Sequence, residues 1–304
     1  VKQLVFYISA FLLACSGSVL AQVQPLFSQY MHDASVINPA YAGSNDAMVI
    51  SLHGRVQWIS AMGGPSTQVL SAHTPLPGVP LTAGVRLLNE SIGSGHRMAV
   101  SPALGYRMPV GKGKVTGGLS ANINHYTPGY QNLLLYNQND EVFALRESMW
   151  VVTLGVGLYY STNKFYAGFA VPEIVPATAP DPEKNIFRRH LRQYVFHTGK
   201  VFSINHDVLL KPNILISVPE QGVAYTDFNM NVLFRETLWL GASYRTSNLL
   251  AGLVQVQLSS QWRFGYSWDM PLKKNQLYGS DSHEVSLQYS FTFDRTAVRS
   301  PRYF

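Results

Sequence analysis

The chain alternates between apolar and polar residues along most of its length. Near the C-terminus Val285, Leu287, Tyr289, Phe291 and Phe293 take every second place, with Glu284, Ser286, Gln288, Ser290 and Thr292 between them. Successive side chains of a strand point to opposite faces, so such a stretch carries one apolar face and one polar face. Trp262, Phe264, Tyr266 and Trp268 alternate in the same way with Arg263, Gly265, Ser267 and Asp269. Leu238, Leu240, Ala242 and Tyr244 alternate with Trp239, Gly241, Ser243 and Arg245. Fourteen segments read like this, at 47–58, 66–73, 81–91, 97–108, 114–127, 150–161, 165–172, 193–204, 207–218, 226–234, 237–246, 248–258, 261–269 and 284–293.

Composition decides what kind of sheet this is. Charged residues make up 13% of the 304 and apolar residues 46%. The first figure is about half the usual share and the second is ordinary. Disordered chains are charge-rich and aromatic-poor, so disorder is excluded. A soluble enzyme coated with Lys and Glu does not fit either. The body of the chain has no apolar stretch of the roughly 20 residues a membrane helix needs. Most segments instead have the roughly 9–11 residues of a tilted transmembrane strand.

The connections add a second regularity. Links after even-numbered segments are mostly tight, as at 162–164, 205–206 and 235–236, whereas 128–149, 173–192 and 270–283 follow odd-numbered ones. Short turns at one end and longer loops at the other are the pattern of an outer-membrane barrel. Soluble sandwiches and periplasmic barrels also alternate. Against them stand the aromatics near segment ends (Trp58, Tyr106, Tyr126, Tyr160, Phe165, Trp239, Tyr266, Trp268) and polar faces built from Asn, Gln, Ser, Thr and Gly. The expected fold is therefore all-β, a transmembrane antiparallel β-barrel of about 14 strands over residues 47–293, with an N-terminal luminal or periplasmic segment at 22–46.

Residues 1–21 read as a secretory signal peptide: Lys2, an apolar run from Leu4, then small residues up to Ala21, with cleavage expected before Gln22. A single membrane helix and a lipoprotein signal at Cys15 are the alternatives. Cys15 is the only cysteine, so removal of the signal leaves a chain without disulfides. Residues 294–304 form a short basic tail, expected in the periplasm. A net charge of +6 without a lysine-rich run gives no support to nucleic-acid binding.

Little in the pattern points to catalysis. His53 and His73 fall on neighbouring segments without metal-ligand spacing. Asp281, Ser282 and His283 are adjacent on a strand and point apart, so they make no triad. Gly111-Lys-Gly and Gly117-Gly118 read as a turn and as close-packed strand positions. No catalytic residue, metal ligand or cofactor is expected. The polar faces do carry Arg55, Arg86, Lys200, Lys211, Arg245 and Arg263, with Asp227, Asp269 and Glu284 as counter-charges. A Lys or Arg facing lipid at mid-depth costs about 2–4 kcal/mol, which places them inward. They form either a lumen that holds a partner segment or a network that stiffens the barrel.

One stretch is more specific. Pro25-Leu-Phe-Ser-Gln-Tyr-Met31 is followed by Ile37-Asn-Pro-Ala-Tyr-Ala-Gly-Ser44, then by Arg55-Val-Gln-Trp58, Gly64-Pro-Ser-Thr-Gln68 and Ser71-Ala-His-Thr-Pro-Leu76. Trp239 to Arg245, Gly265-Tyr-Ser-Trp-Asp269, Gly279 to Glu284 and Ser300-Pro-Arg-Tyr-Phe304 continue the series. In this order the pieces resemble the PorP/SprF family of type IX secretion system outer-membrane proteins. The resemblance implies a Bacteroidetes-type outer membrane and a non-enzymatic role in secretion, or in surface anchoring of adhesins and gliding motility proteins. Implied partners are a secreted surface protein with a C-terminal sorting domain, a periplasmic ring of peptidoglycan-associated protein and lipoprotein, and outer-membrane lipid. A diffusion or transport barrel for small solutes is the alternative.

The N-terminal segment gives this reading physical content. Phe27, Tyr30, Met31 and Tyr41 are too apolar for a free tail, and Asn38, Pro39 and Gly43 are turn formers. The segment is expected to fill the lumen or cap the periplasmic mouth.

Overall fold

The computed structural model describes residues 27–127, 129, 148–174, 192–220, 222–272 and 281–291. Residues 1–21, read above as a signal peptide, residues 22–26, most of the three long loops and the tail lie outside the described residues. The strands are β1 (Met48–Val56), β2 (Ser66–Pro75), β3 (Leu81–Ile92), β4 (Gly95–Val110), β5 (Gly113–Thr127), β6 (Met149–Ser161), β7 (Phe165–Val171), β8 (Gln193–Lys200), β9 (Phe202–Ser203), β10 (Val208–Pro219), β11 (Tyr225–Phe234), β12 (Leu238–Arg245), β13 (Leu249–Gln257), β14 (Trp262–Pro271) and β15 (Ser282–Phe291).

Every paired neighbour is antiparallel, and the sheet closes on itself. β15 returns to β1, with Met48 opposite Phe291 and Val56 opposite His283. Closure removes the free edges that an open sheet would expose to lipid. There are fourteen crossings of the wall, as the periodicity predicts, because β9 only continues β8 along β10. The register shows why that crossing is split. Gly199 faces Asn213 and Phe202 faces Leu210, so the break falls opposite Pro212, which has no N–H for the ladder. The β4–β5 ladder skips the positions around Pro102 in the same way.

The start of β1 and the end of β15 share one rim. That rim also carries the links 76–80, 111–112, 162–164, 204–207, 235–237 and 258–261, all short. It is the periplasmic side of an outer-membrane barrel. Three links at the opposite rim are short as well, 93–94, 220–224 and 246–248.

The wall is inside-out relative to a soluble protein. Its outward residues are large, apolar and exposed, among them Leu104, Leu119, Leu154, Leu158 and Met230. Its inward residues are polar and buried, among them Ser71, Asn122, Asn124, Thr153, Asn213 and Asn231. An outward apolar belt needs no charged coat when its neighbours are acyl chains, which accounts for the low charge content. Leu119 lies mid-strand with 64% of its surface exposed. We predict that Leu119→Arg lowers unfolding stability in lipid bilayers by about 2–4 kcal/mol, read from a denaturant titration. A change below measurement error would show that this face does not meet hydrocarbon.

Candidate functional site

Residues 27–46 fold inside the barrel. Two short 3-10 turns shape them, Ala34–Val36 and Pro39–Tyr41. Asp33 caps the first, its carboxylate accepting from the Ser35 N–H at 3.0 Å. Asn38 caps the second, its oxygen accepting from the Ala40 N–H at 2.9 Å, with Pro39 in the first helical place where no N–H is needed. Gly43 then turns the chain with φ +69°, and a Cβ there would also strike Thr82 and the backbone of Pro75. Phe27, Tyr30, Met31, Val36, Ile37 and Tyr41 are buried against Val69, Tyr159, Tyr166, Leu215 and Leu253 of the wall.

The segment descends from the long-loop half of the lumen to the tight-turn rim. At its upper end Ser28 and Gln29 meet a charge cluster. Arg55 Nη2 donates to Asp269 Oδ2 at 2.6 Å and Nη1 to Glu284 Oε2 at 3.1 Å. These side chains are almost wholly buried and hold two carboxylates against one guanidinium. The segment supplies the missing donors. The Ser28 N–H donates to Glu284 Oε2 at 2.7 Å, the Gln29 N–H to Glu284 Oε1 at 3.2 Å, and the Ser28 hydroxyl to Asp269 Oδ2 at 2.7 Å. Ser286 completes the contact by donating to Gln29 Oε1 at 2.7 Å. A hydrogen bond to a charged group contributes about 1.5–3 kcal/mol, so the plug and the wall support each other here.

Further down, Asp33 is received by Ser71, whose hydroxyl donates at 3.1 Å, and lies 3.6 Å from His53 Nε2 and 4.0 Å from His73 Nε2. Burial alone would raise its pKa. The contacts with His53, His73 and Ser35 outweigh burial and hold the carboxyl well below the usual range. His32 is pushed the other way, toward the neutral form, by burial and by Lys211 and Arg263. It rests edge-on against Trp239, with ring centroids 5.9 Å apart. The Asn38 amide donates to the Leu158 carbonyl at 3.1 Å and lies 3.2 Å from His197 Nε2. Tyr41 packs edge-on between His73 and Tyr159.

Wall glycines make room for the plug. A Cβ on Gly118 would lie 2.5 Å from the Ala40 Cα, and one on Gly157 would strike Asn38. Three wall cations hold plug carbonyls. Arg86 Nη1 donates to Val36 O at 2.6 Å, Lys211 Nζ to Met31 O at 3.2 Å, and Arg107 Nη1 to Gly43 O at 3.0 Å. Asp46 closes the rim through Arg107 at 2.6 Å and Lys114 at 3.1 Å.

The residues singled out from the sequence therefore fall into distinct places. Arg55, Asp269 and Glu284 come together on the plug, and Arg86 and Lys211 grip it separately. Arg245 is inward but pairs with Asp227 at 3.0 Å, under Tyr225. Arg263 is inward near the tight-turn rim, donating from Nε to Gln257 at 2.9 Å. Lys200 is a correction. It follows Tyr194, Phe196 and Thr198 on the outward face, at the end of β8, with its ammonium 5.0 Å from the Phe202 ring. At a strand end a lysine reaches the headgroup region, so the mid-depth penalty that argued for an inward place does not apply. Trp239 and Tyr126, expected in the outer girdles, face inward and are buried.

Pairing through the fold hid other participants. Arg97 meets Glu173 at 2.9 Å, Glu90 at 3.8 Å and the Tyr126 ring at 5.5 Å. Glu173 is aimed inward by a bulge after β7, where Val171 faces Val156 but the Ile174 N–H reaches Leu154. Asp33 and Asn38 did carry a local signal, a capping residue ahead of small residues or proline. Their wall partners His53, His73 and His197 are 20 to 159 residues away and left none.

Among the described residues no cluster of three His, Cys, Asp or Glu is placed to hold a metal ion. The lumen presents a packed plug secured by buried hydrogen bonds and ion pairs. The molecule is thus a plugged β-barrel of the outer-membrane kind. The family model of the type IX secretion system membrane protein PorP/SprF matches residues 19–289, and the chain belongs to that family. A search of curated proteins finds no match. Similar solved structures include the deltaS2S3 mutant of the TodX monoaromatic hydrocarbon channel (11% identity, TM-score 0.51, covering 88% of this chain and 95% of that one). The CymD monoaromatic hydrocarbon channel has 11% identity and TM-score 0.49, with 90% and 95% covered. Acinetobacter baumannii Omp33 has 9% identity and TM-score 0.48, with 81% and 98% covered. Likeness at this level of identity concerns the fold alone.

Deleting residues 24–44 is predicted to raise single-channel conductance in planar bilayers while the barrel still folds. Gly118→Val should do the same to a smaller extent, by expelling Ala40. Unchanged conductance in a correctly folded deletion variant would contradict the plug.

Proposed function

We propose that this barrel is a non-enzymatic component of the type IX secretion system. In this reading it supports secretion or cell-surface anchoring of proteins with a C-terminal sorting domain, such as adhesins or gliding motility proteins. It does so by binding them, the periplasmic ring of peptidoglycan-associated protein and lipoprotein, or both. The observation that carries the reading is family membership over residues 19–289, joined to a lumen filled by the chain's own residues 27–46. A barrel filled in this way is poorly suited to passive diffusion, so its work falls to the surfaces at the two mouths. The tight-turn rim offers Lys112, Lys114 and Lys164, and the external loops offer the opposite platform.

A single experiment separates this from solute transport. The tagged barrel is purified from native outer membrane, and the sorting-domain proteins of the same cells are located by fractionation with and without the gene. The expected result is co-purification of a sorting-domain protein or a peptidoglycan-associated protein, and loss of the former from the surface in the deletion strain. Recovery of the barrel alone, with surface proteins unchanged and small-solute uptake reduced, would favour the transport barrel.

A further inference from the structure

The outward wall is not uniformly convex. Over β1 to β6 it sinks into a groove of about 420 Å³. Leu52, Leu70, Leu87, Val100 and Ile123 line its length, and Met98 and Trp150 flank its end toward the long loops. Leu52, Leu70, Leu87 and Val100 are each 42–49% exposed, so none of the described residues covers them. The groove runs from the middle of the wall toward the long-loop rim, in the half that faces the outer leaflet.

That end holds something unusual for a lipid-facing belt, a chain of uncharged polar side chains. The Asn89 amide donates to Gln68 Oε1 at 2.7 Å, and the Gln68 amide donates to Ser66 Oγ at 2.8 Å. Gln68 and Asn89 are opposite each other in the β2–β3 register, and both are exposed. Each amide carries two N–H groups and one oxygen. These bonds use one N–H of each, leaving a second N–H on each and the Asn89 oxygen facing outward. Polar groups without partners are costly in hydrocarbon. His125 stands beside them against Trp150, with ring centroids 4.5 Å apart.

We propose that this groove is a binding site for one acyl chain of an outer-leaflet lipid. The chain lies along Leu52, Leu70, Leu87 and Ile123, and its ester or amide linkage meets the Gln68 and Asn89 side chains. Uncharged amides suit a linkage carbonyl or hydroxyl, which accepts or donates one hydrogen bond without bringing charge into the membrane. A protein strand is a poorer fit, because the wall is closed and has no free backbone edge there to pair with it. This site is independent of the plug and of the proposed secretion role.

The test uses the full-length protein in its native outer membrane. A photo-crosslinking amino acid replaces Leu87 in one variant and Met230 in another. Met230 is 45% exposed at a similar depth on β11 and serves as a control for ordinary boundary lipid. The expected result is a lipid-mass adduct at position 87, at least fivefold more abundant than at 230. The adduct should fall severalfold when Gln68 and Asn89 are both changed to Leu, with heat-modifiable folding unchanged. Equal adducts at 87 and 230, cross-linking of 87 to a polypeptide, or an adduct indifferent to the double substitution would each overturn the proposal.

Discussion

Two buried carboxylates face one guanidinium in the wall of this barrel, and much of the structure depends on how that imbalance is met. Arg55 on β1 donates to one oxygen each of Asp269 on β14 and Glu284 on β15, and β1 meets β15 only through barrel closure. The backbone and hydroxyl of Ser28 and the backbone of Gln29 add three further donors to these carboxylates. Closure, charge placement and plug docking are therefore coupled at one point. The wall cations further down repeat the arrangement in weaker form, each donating to a plug carbonyl that would otherwise be buried unpaired.

The fold was readable because alternation is local. One face of each strand meets hydrocarbon and the other meets the lumen, so a period of two recurs in all fourteen crossings and the strand limits follow to within a few residues. For the N-terminal segment 22–46 the apolar residues between turn formers left two places open, the lumen and the periplasmic mouth, and the structure packs residues 27–46 inside the barrel. The partners were not readable. Arg55 stands far from Asp269 and Glu284 in sequence, and only barrel closure decides which inward cation these carboxylates meet. Lys200 misled because period two tells the two faces of a strand apart and says nothing of depth. A charge at a strand end escapes the hydrocarbon that would punish it at the middle. Trp239 and Tyr126 misled in the converse way, since an aromatic at a strand end reads as an interface anchor whether it points out or in.

The same barrel presents three different chemistries. Its lumen is polar and filled, its belt is apolar with one amide-bearing groove, and its rims are charged. The lumen's chemistry is that of a docking surface for the chain's own residues 27–46. The glycines at 118 and 157 are thin places in the wall, the first giving room to the backbone of Ala40 and the second to the side chain of Asn38.

The central claim is that residues 27–46 are an integral, hydrogen-bonded part of the barrel. Amide hydrogen exchange on the protein in lipid nanodiscs tests it directly. The account predicts that the amides from Ser28 to Tyr41 exchange as slowly as those of the strands β1 and β15 that hold them. Complete exchange of this segment within seconds, while the strands stay protected, would contradict it.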